Sequence, residues 1–286
     1  MTDNKDVLEW WSEHPMTYGS THGETEYEDG SYEIGTREFF ERLDEEFFHW
    51  NSPLHNERPF DRLFPFDEYG TGKKILEVGC GLGTMAMQWA KNGATVTAVD
   101  LNPTAIEQTR HRFSLFDLQG NIQQQDATEL HFPDHAFDYV YSWGVLHHSP
   151  NLETSLSEMM RVLKPGGRFG LMLYNRKSLL HWYSTRYVEG FLHYEKRFLG
   201  SVELASRYGD GSRGEGNPYT WPVTRQEVVD LLEPHTSDIS VRMLGTELDG
   251  VFKLLLPGLG LVLPGWVKKP WARRFGWSLW FSGHKV

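Results

Sequence analysis

Three glycines alternate behind a carboxylate in the stretch ILEVGCGLG: Glu77, then Gly79, Gly81 and Gly83, with Cys80 between the first two. Glycine at every second position frees the backbone for positive φ and lets it approach a ligand closely. Three kinds of loop could follow a strand in this way. A P-loop closes on Gly-Lys-Ser/Thr, where the lysine neutralises phosphate. Here Thr84 and Met85 follow Gly83, and that reading fails. A dinucleotide loop, G-x-G-x-x-G/A, needs a third small residue so that a helix packs close beneath a pyrophosphate. Counted from Gly79, that position is Thr84, a poor fit. The third pattern, E-x-G-x-G-x-G, suits a ligand without a pyrophosphate. Further chemistry-bearing residues stand at Asp100, Asp126, Ser142, the pair His147–His148, Tyr174 and Asn175. His131 and His135 are four apart, a metal-binding spacing only on a helix, and Pro133 lies between them. No metal site is expected.

The elements that must position these residues follow from periodicity. KILEV reads as a buried strand, and TMAMQWAKNG as a helix closed by Gly93. TVTAVD is a second strand. A helix over NPTAIEQTRHRF follows, with Asn102 as N-cap and Pro103 in the first turn. NIQQQD is a weaker third strand, FDYVYSW a fourth, and LETSLSEMMRVL a helix. LKPGGRFGLMLY is a type II turn leading into a fifth strand. Strands alternating with helices imply a parallel sheet with right-handed crossovers. Before this core, residues 1–70 carry two helical patterns, VLEWWSEH and TREFFERLDEEFFHW, separated by a polar, glycine-containing loop. After it, residues 176–223 form an insertion placed to cap a site, helical at first and then a long loop. Residues 224–286 add a helix and two closing strands, with an apolar insertion at about 250–274. Its three prolines, Pro257, Pro264 and Pro270, argue against one continuous amphipathic helix.

The E-x-G-x-G-x-G spacing, Asp100 at the end of the second strand, Asp126-Ala127 at the end of the third, SWGVLHH after the fourth and LKPGGRFGLMLY together resemble the class I, Rossmann-like S-adenosylmethionine-dependent methyltransferases. The resemblance covers residues 73–174 well and the closing strands loosely. It implies an α/β fold: a doubly wound, seven-stranded, mostly parallel sheet with the last strand antiparallel, here with N-terminal helices and a cap insertion. It implies S-adenosylmethionine as cofactor and S-adenosylhomocysteine as product. Glu77, Gly79, Cys80, Gly81 and Gly83 would surround the methionine part of the ligand. Asp100 would hold the ribose, with Leu101 lying against the adenine, and Asp126 and Ala127 would read the adenine edge. Ser142 and Trp143 would lie near the ligand's amino group. His147 and Tyr174 are the catalytic candidates. Tyr18, His22, His147, His148, Asn175 and Tyr219 are the acceptor-binding candidates, with Trp221 beside them in the cap.

Composition narrows the acceptor. The formal net charge is -11, which repels a phosphate backbone, so nucleic acid is not an expected substrate. The lone cysteine, Cys80, excludes an intrachain disulfide and a multi-cysteine zinc site. The first residues show no basic and apolar signal pattern, and no apolar run is long enough to span a bilayer, so a cytoplasmic protein is expected. The reading is methyl transfer to a small-molecule acceptor by in-line displacement. Oxygen is slightly favoured, and sulfur, nitrogen and carbon stay open. A non-catalytic adenosylmethionine-binding protein and a methyltransferase for a lipophilic, membrane-associated acceptor are the alternatives. In the second, Trp266, Trp271 and the neighbouring cations at 254–274 would touch the membrane surface.

Overall fold

A computed structural model describes residues 4–13, 33–208, 216–236, 238–245 and 264–286. Its sheet has seven strands: β1 Lys74–Val78, β2 Thr95–Asp100, β3 Asn121–Gln124, β4 Phe137–Trp143, β5 Leu163–Tyr174, β6 Ser240–Leu244 and β7 Ser278–His284. Their order is β3-β2-β1-β4-β5-β7-β6. β1 to β5 pair in parallel, and β7 is antiparallel to both its neighbours, β5 and β6. The expected doubly wound sheet with an antiparallel last strand is therefore the one formed. From β1 the order runs outward to β2 and β3, then resumes on the other side at β4. That reversal opens a crevice beyond the carboxyl ends of β1 and β4, where open α/β sheets bind ligands.

Local chemistry starts and stops the elements. The Asn102 side chain accepts from the amides of Thr104 (2.8 Å) and Ala105 (3.3 Å) and so begins α5, Pro103–Leu115, with Pro103 in its first turn. Helix α4, Thr84–Lys91, begins directly after Gly83. Gly166, in the turn that opens β5, sits at φ 71°, as the third position of a type II turn requires. Alternation along β1 sends Leu76 and Val78 to one sheet face and Ile75 and Glu77 to the other. The first face packs on α6 (Leu152–Val162) and α8 (Arg225–Leu232) through Met159, Met160, Val228 and Leu232. The second face packs on α4 and on an aromatic cluster from the N-terminal segment. Helix α2 (Arg37–Trp50) supplies Phe47, and Phe60, Phe64 and Phe66 follow it. Phe66 lies 4.6 Å from Trp89, Phe64 4.9 Å from Tyr141, and Phe60 4.6 Å from Trp143 between ring centres. Such pairs add about 0.5–1.5 kcal/mol each beyond the area they bury, and many of the chain's aromatics belong to this core.

Two elements differ from expectation. His181–Leu192 is helical, as expected, but as a π-helix; His193 N–H, for example, donates to the Val188 carbonyl at 2.9 Å. Apolar spacing over so short a run marks a helix without fixing its pitch. Helix α9, Gly265–Phe275, runs through Pro270, which the sequence reading takes as a break. Pro264 instead caps its start. Trp266 and Pro270 are exposed, so water can take the Trp266 carbonyl that the missing proline N–H leaves unpaired. Residues 246–263, which include the first part of the apolar insertion, lie outside the described residues, as do Tyr18 and His22.

Candidate active site

The glycine loop and the end of β2 are locked together. One Asp100 carboxylate oxygen accepts from Gly81 N–H (2.8 Å) and the other from Asn102 N–H (2.9 Å). Each oxygen keeps a further lone pair, and the side chain is only half-buried. The three glycines serve different ends. A Cβ at Gly79 would sit 2.4 Å from the Val145 side chain, and one at Gly83 2.7 Å from Thr109. A Cβ at Gly81 would meet nothing within 4 Å. Gly79 and Gly83 therefore allow chain to pack on chain, whereas Gly81 borders open space at the strand ends. The Gly81 carbonyl is held by the Thr109 hydroxyl at 2.8 Å.

Beneath the loop lies Glu77, buried, with Oε2 lacking any partner. Burial pushes its carboxyl up to about 8, and the nearby Asp100 adds to the rise. The Tyr141 hydroxyl lies close without meeting hydrogen-bond geometry. Burial also pushes Asp100 above the ordinary carboxylate value, against the backbone N–H groups that favour its charged form. Cys80 is buried and its thiol is raised well above its usual value, first by burial and then by Asp100 and Glu77. It is not an activated nucleophile.

Beyond β3, Asp126 Oδ1 accepts from both the amide and the hydroxyl of Thr128 at 2.8 Å, while Leu101, Asp126 and Ala127 are half-buried. At the end of β4, Ser142 is fully buried with an unpartnered hydroxyl. Trp143 turns into the aromatic cluster, 5.7 Å from Trp280. Past Gly144, the buried His147 has neither ring nitrogen bonded. Its ring centre lies 3.9 Å from Tyr174 and 4.2 Å from His148. Burial, and then His148, hold it well below the usual histidine value, so it is neutral at pH 7. The cap closes over this pair. His148 Nδ1 meets the Thr220 hydroxyl (2.9 Å) and the Tyr219 carbonyl (3.2 Å), and Trp221 N–H donates to the His147 carbonyl (2.9 Å). Asn175 is engaged at both ends of its amide. It donates to the Gly276 carbonyl (2.9 Å) and accepts from Lys177 N–H (3.0 Å), so it ties the end of β5 to the start of β7.

Two contributors escape a reading of the sequence. Arg112 of α5 is fully buried; its guanidinium donates to the Leu82 carbonyl and the Thr84 hydroxyl, both at 3.1 Å, and pairs with Asp44 of α2. It clamps the glycine loop from below. Helix α1, Asn4–Glu13, lies across the start of α5, where Asn102 Nδ2 donates to the Trp11 carbonyl and the Thr104 hydroxyl to that of Ser12 (3.3 Å). The Trp11 ring sits edge-on to His148 at 5.2 Å. The spacing in VLEWWSEH marks a helix and carries no signal for this contact. Among the described residues, no group of three or more histidine, cysteine or acidic side chains is placed to hold a metal ion. The shallow depression lined by Glu33, Gly35, Glu107 and His111 lies along α5, away from these strand ends.

Two carboxylates converging on an open glycine cradle suit a ligand that offers hydroxyls and a cationic centre. The reversal in strand order and the acid-tipped β2 place the chain in the Rossmann-like class that holds a nucleoside across the strand ends. Residues 76–171 match the profile of the family described as methyltransferase domain. Methyltransferase GfsG of Streptomyces halstedii is 29% identical over 222 residues, covering 77% of this chain and 75% of that protein. The fatty-acid O-methyltransferase of Mycolicibacterium smegmatis is 42% identical over 100 residues, which span 34% of this chain and 36% of that enzyme. A solved S-adenosylmethionine-dependent methyltransferase of Methanosarcina mazei superposes with a TM-score of 0.55 at 21% identity, covering 78% of this chain and 98% of that one. The domain match, the relatives and the fold together support a class I S-adenosylmethionine-dependent methyltransferase. Its cofactor is S-adenosylmethionine, and the cradle of Glu77, Gly81 and Asp100 fits it.

Proposed function

We propose that the protein transfers the methyl group of S-adenosylmethionine to an oxygen of a small molecule in the cytoplasm. The observation that carries this reading is His147, buried at the crevice with both ring nitrogens unbonded and its ring against Tyr174. When bound, the cofactor supplies a methyl already activated on a sulfonium. The chain's task is to align the acceptor and exclude water. In the proposed arrangement Asp100 takes the ribose hydroxyls, Leu101, Asp126 and Ala127 frame the adenine, and the loop from Glu77 to Gly83 surrounds the methionine part. Ser142 and Trp143 flank the amino group. His147 accepts the acceptor's hydroxyl proton as the new O–C bond forms and the C–S bond breaks. The positive charge lost at sulfur then reappears on the imidazolium, and the depressed basicity of His147 returns that proton readily to solvent. Tyr174, Tyr219 and His148 shape the acceptor side. The small-molecule acceptor agrees with the name of the fatty-acid relative and with the acidity of the chain.

The test is transfer from methyl-labelled S-adenosylmethionine to an extract of the source cells, followed by fractionation. Label is expected in one solvent-extractable small-molecule fraction. His147→Ala should cut turnover by roughly 10²–10⁴-fold while cofactor affinity stays within a few-fold. Gly81→Val, which fills the cradle, should abolish both. Label in macromolecules, or full turnover by His147→Ala, would overturn the reading.

A further inference from the structure

Single exposed aromatics are ordinary on a protein surface, but a contiguous run of them marks a binding surface. The cap carries such a run: Trp182 is 53% exposed, Phe191 66% and Phe198 85%, with Tyr187, Leu192 and Tyr194 also exposed. Trp182, Tyr187 and Phe191 stack in file, each 5.9 Å from the next, at interplanar angles of 8° and 17°. The π-helix creates the file, because its i→i+5 bonds bring residues four and five apart into line. The same stretch carries cations. Lys177, Arg186, Lys196 and Arg197 are exposed, and among the described residues none of them forms an ion pair. The carboxylates of the stretch are already engaged. Glu189 meets His193 at 2.7 Å, and Glu195 accepts from the Tyr208 hydroxyl at 2.7 Å and faces Arg207 at 3.7 Å. In a chain of net charge -11, this leaves one exposed aromatic stretch that carries four cations outside any ion pair.

Behind this surface, a chain of packed rings leads to the crevice. His181, at the start of the π-helix, stacks on Trp277 at 6.4 Å. Trp277 lies 4.5 Å from Tyr174, which contacts His147. Helix α9 ends two residues before Trp277 and repeats the same composition, with exposed Trp266 and four cations, Lys268, Lys269, Arg273 and Arg274, and no acid.

We propose that the face built from the π-helix and the turn to Phe198 docks on an anionic lipid bilayer. Its aromatic rings would enter the interfacial layer and its cations would lie over the headgroup phosphates. The docking does not depend on the acceptor proposed above, because vesicle binding is read without turnover.

The experiment is co-sedimentation of the full chain with vesicles of phosphatidylcholine, alone or with roughly one-third phosphatidylglycerol. Binding to the anionic vesicles is expected to exceed binding to neutral ones by about tenfold and to fall with added salt. The exposed pair Phe191→Ser and Phe198→Ser should reduce it by about tenfold, with an unchanged melting curve. The control Ile34→Ser, at a residue 57% exposed elsewhere, should leave it intact. No preference for anionic vesicles, or binding untouched by the paired substitution, would overturn the proposal. A dimer in sedimentation velocity that the same pair dissolves would overturn it too, assigning the face to a second copy of the chain.

Discussion

Folding changes the acid–base chemistry of Glu77. Below about pH 4.5 its carboxyl is protonated in the folded and unfolded chain alike, and its contribution to stability is complete. As pH rises toward 8, the unfolded chain gains by ionising while the buried group resists. The ligand-free protein should therefore lose stability across that window, on the order of a few kcal/mol in all, and Glu77→Gln should flatten the decline. Melting temperatures from pH 5 to 8 for both proteins check this. S-adenosylmethionine adds positive charge near the carboxyl, so its binding should release a proton and tighten as pH approaches 8. S-adenosylhomocysteine, uncharged at sulfur, should release less. Calorimetry in buffers of different ionisation heat measures the difference, and proton release equal for both ligands would remove Glu77 from the cationic side of the pocket.

Between elements, the Arg112–Asp44 pair joins α5, α2 and the glycine loop. A buried pair loses about 3–5 kcal/mol when one partner is removed, because the other charge is stranded. Asp44→Asn and Arg112→Met should each cost about that much in chemical denaturation, and the double variant Asp44→Leu with Arg112→Met should recover much of it. Additive losses would show that the two side chains act separately. The contrast with the glycine loop explains what the sequence reveals. Glu77, the glycines and Asp100 lie within one β-loop-α-β run, where spacing alone brings them to one edge of the sheet. Asp44 and Arg112 are 68 residues apart and look like ordinary polar positions on two amphipathic helices until the fold pairs them. The same limit applies to α1. Its apolar pattern reads as a helix, yet nothing local says that Trp11 will reach His148. The pitch of the π-helix is likewise set by packing and not by residue order, and Pro270 is tolerated because its surroundings are wet.

For the whole molecule, charge and shape act together. The chain is strongly acidic, and the cations at the cap and on α9 are local exceptions. A protein with this balance should not retard duplex DNA or transfer RNA in a gel at low salt, where backbone attraction is strongest. A salt-sensitive shift would bring nucleic acid back as an acceptor. The parts that cover the crevice, α1 and the cap, come from outside the β1–β5 run that forms its floor.

The single thiol of the molecule is buried inside the glycine loop, and only a local opening of that loop exposes it. Cys80 is therefore a built-in clock. While the loop is shut, an alkylating reagent finds nothing to react with, so the rate of labelling counts the openings. One covalent tag per molecule, read by mass, reports how often the pocket breathes and how far the cofactor quiets it.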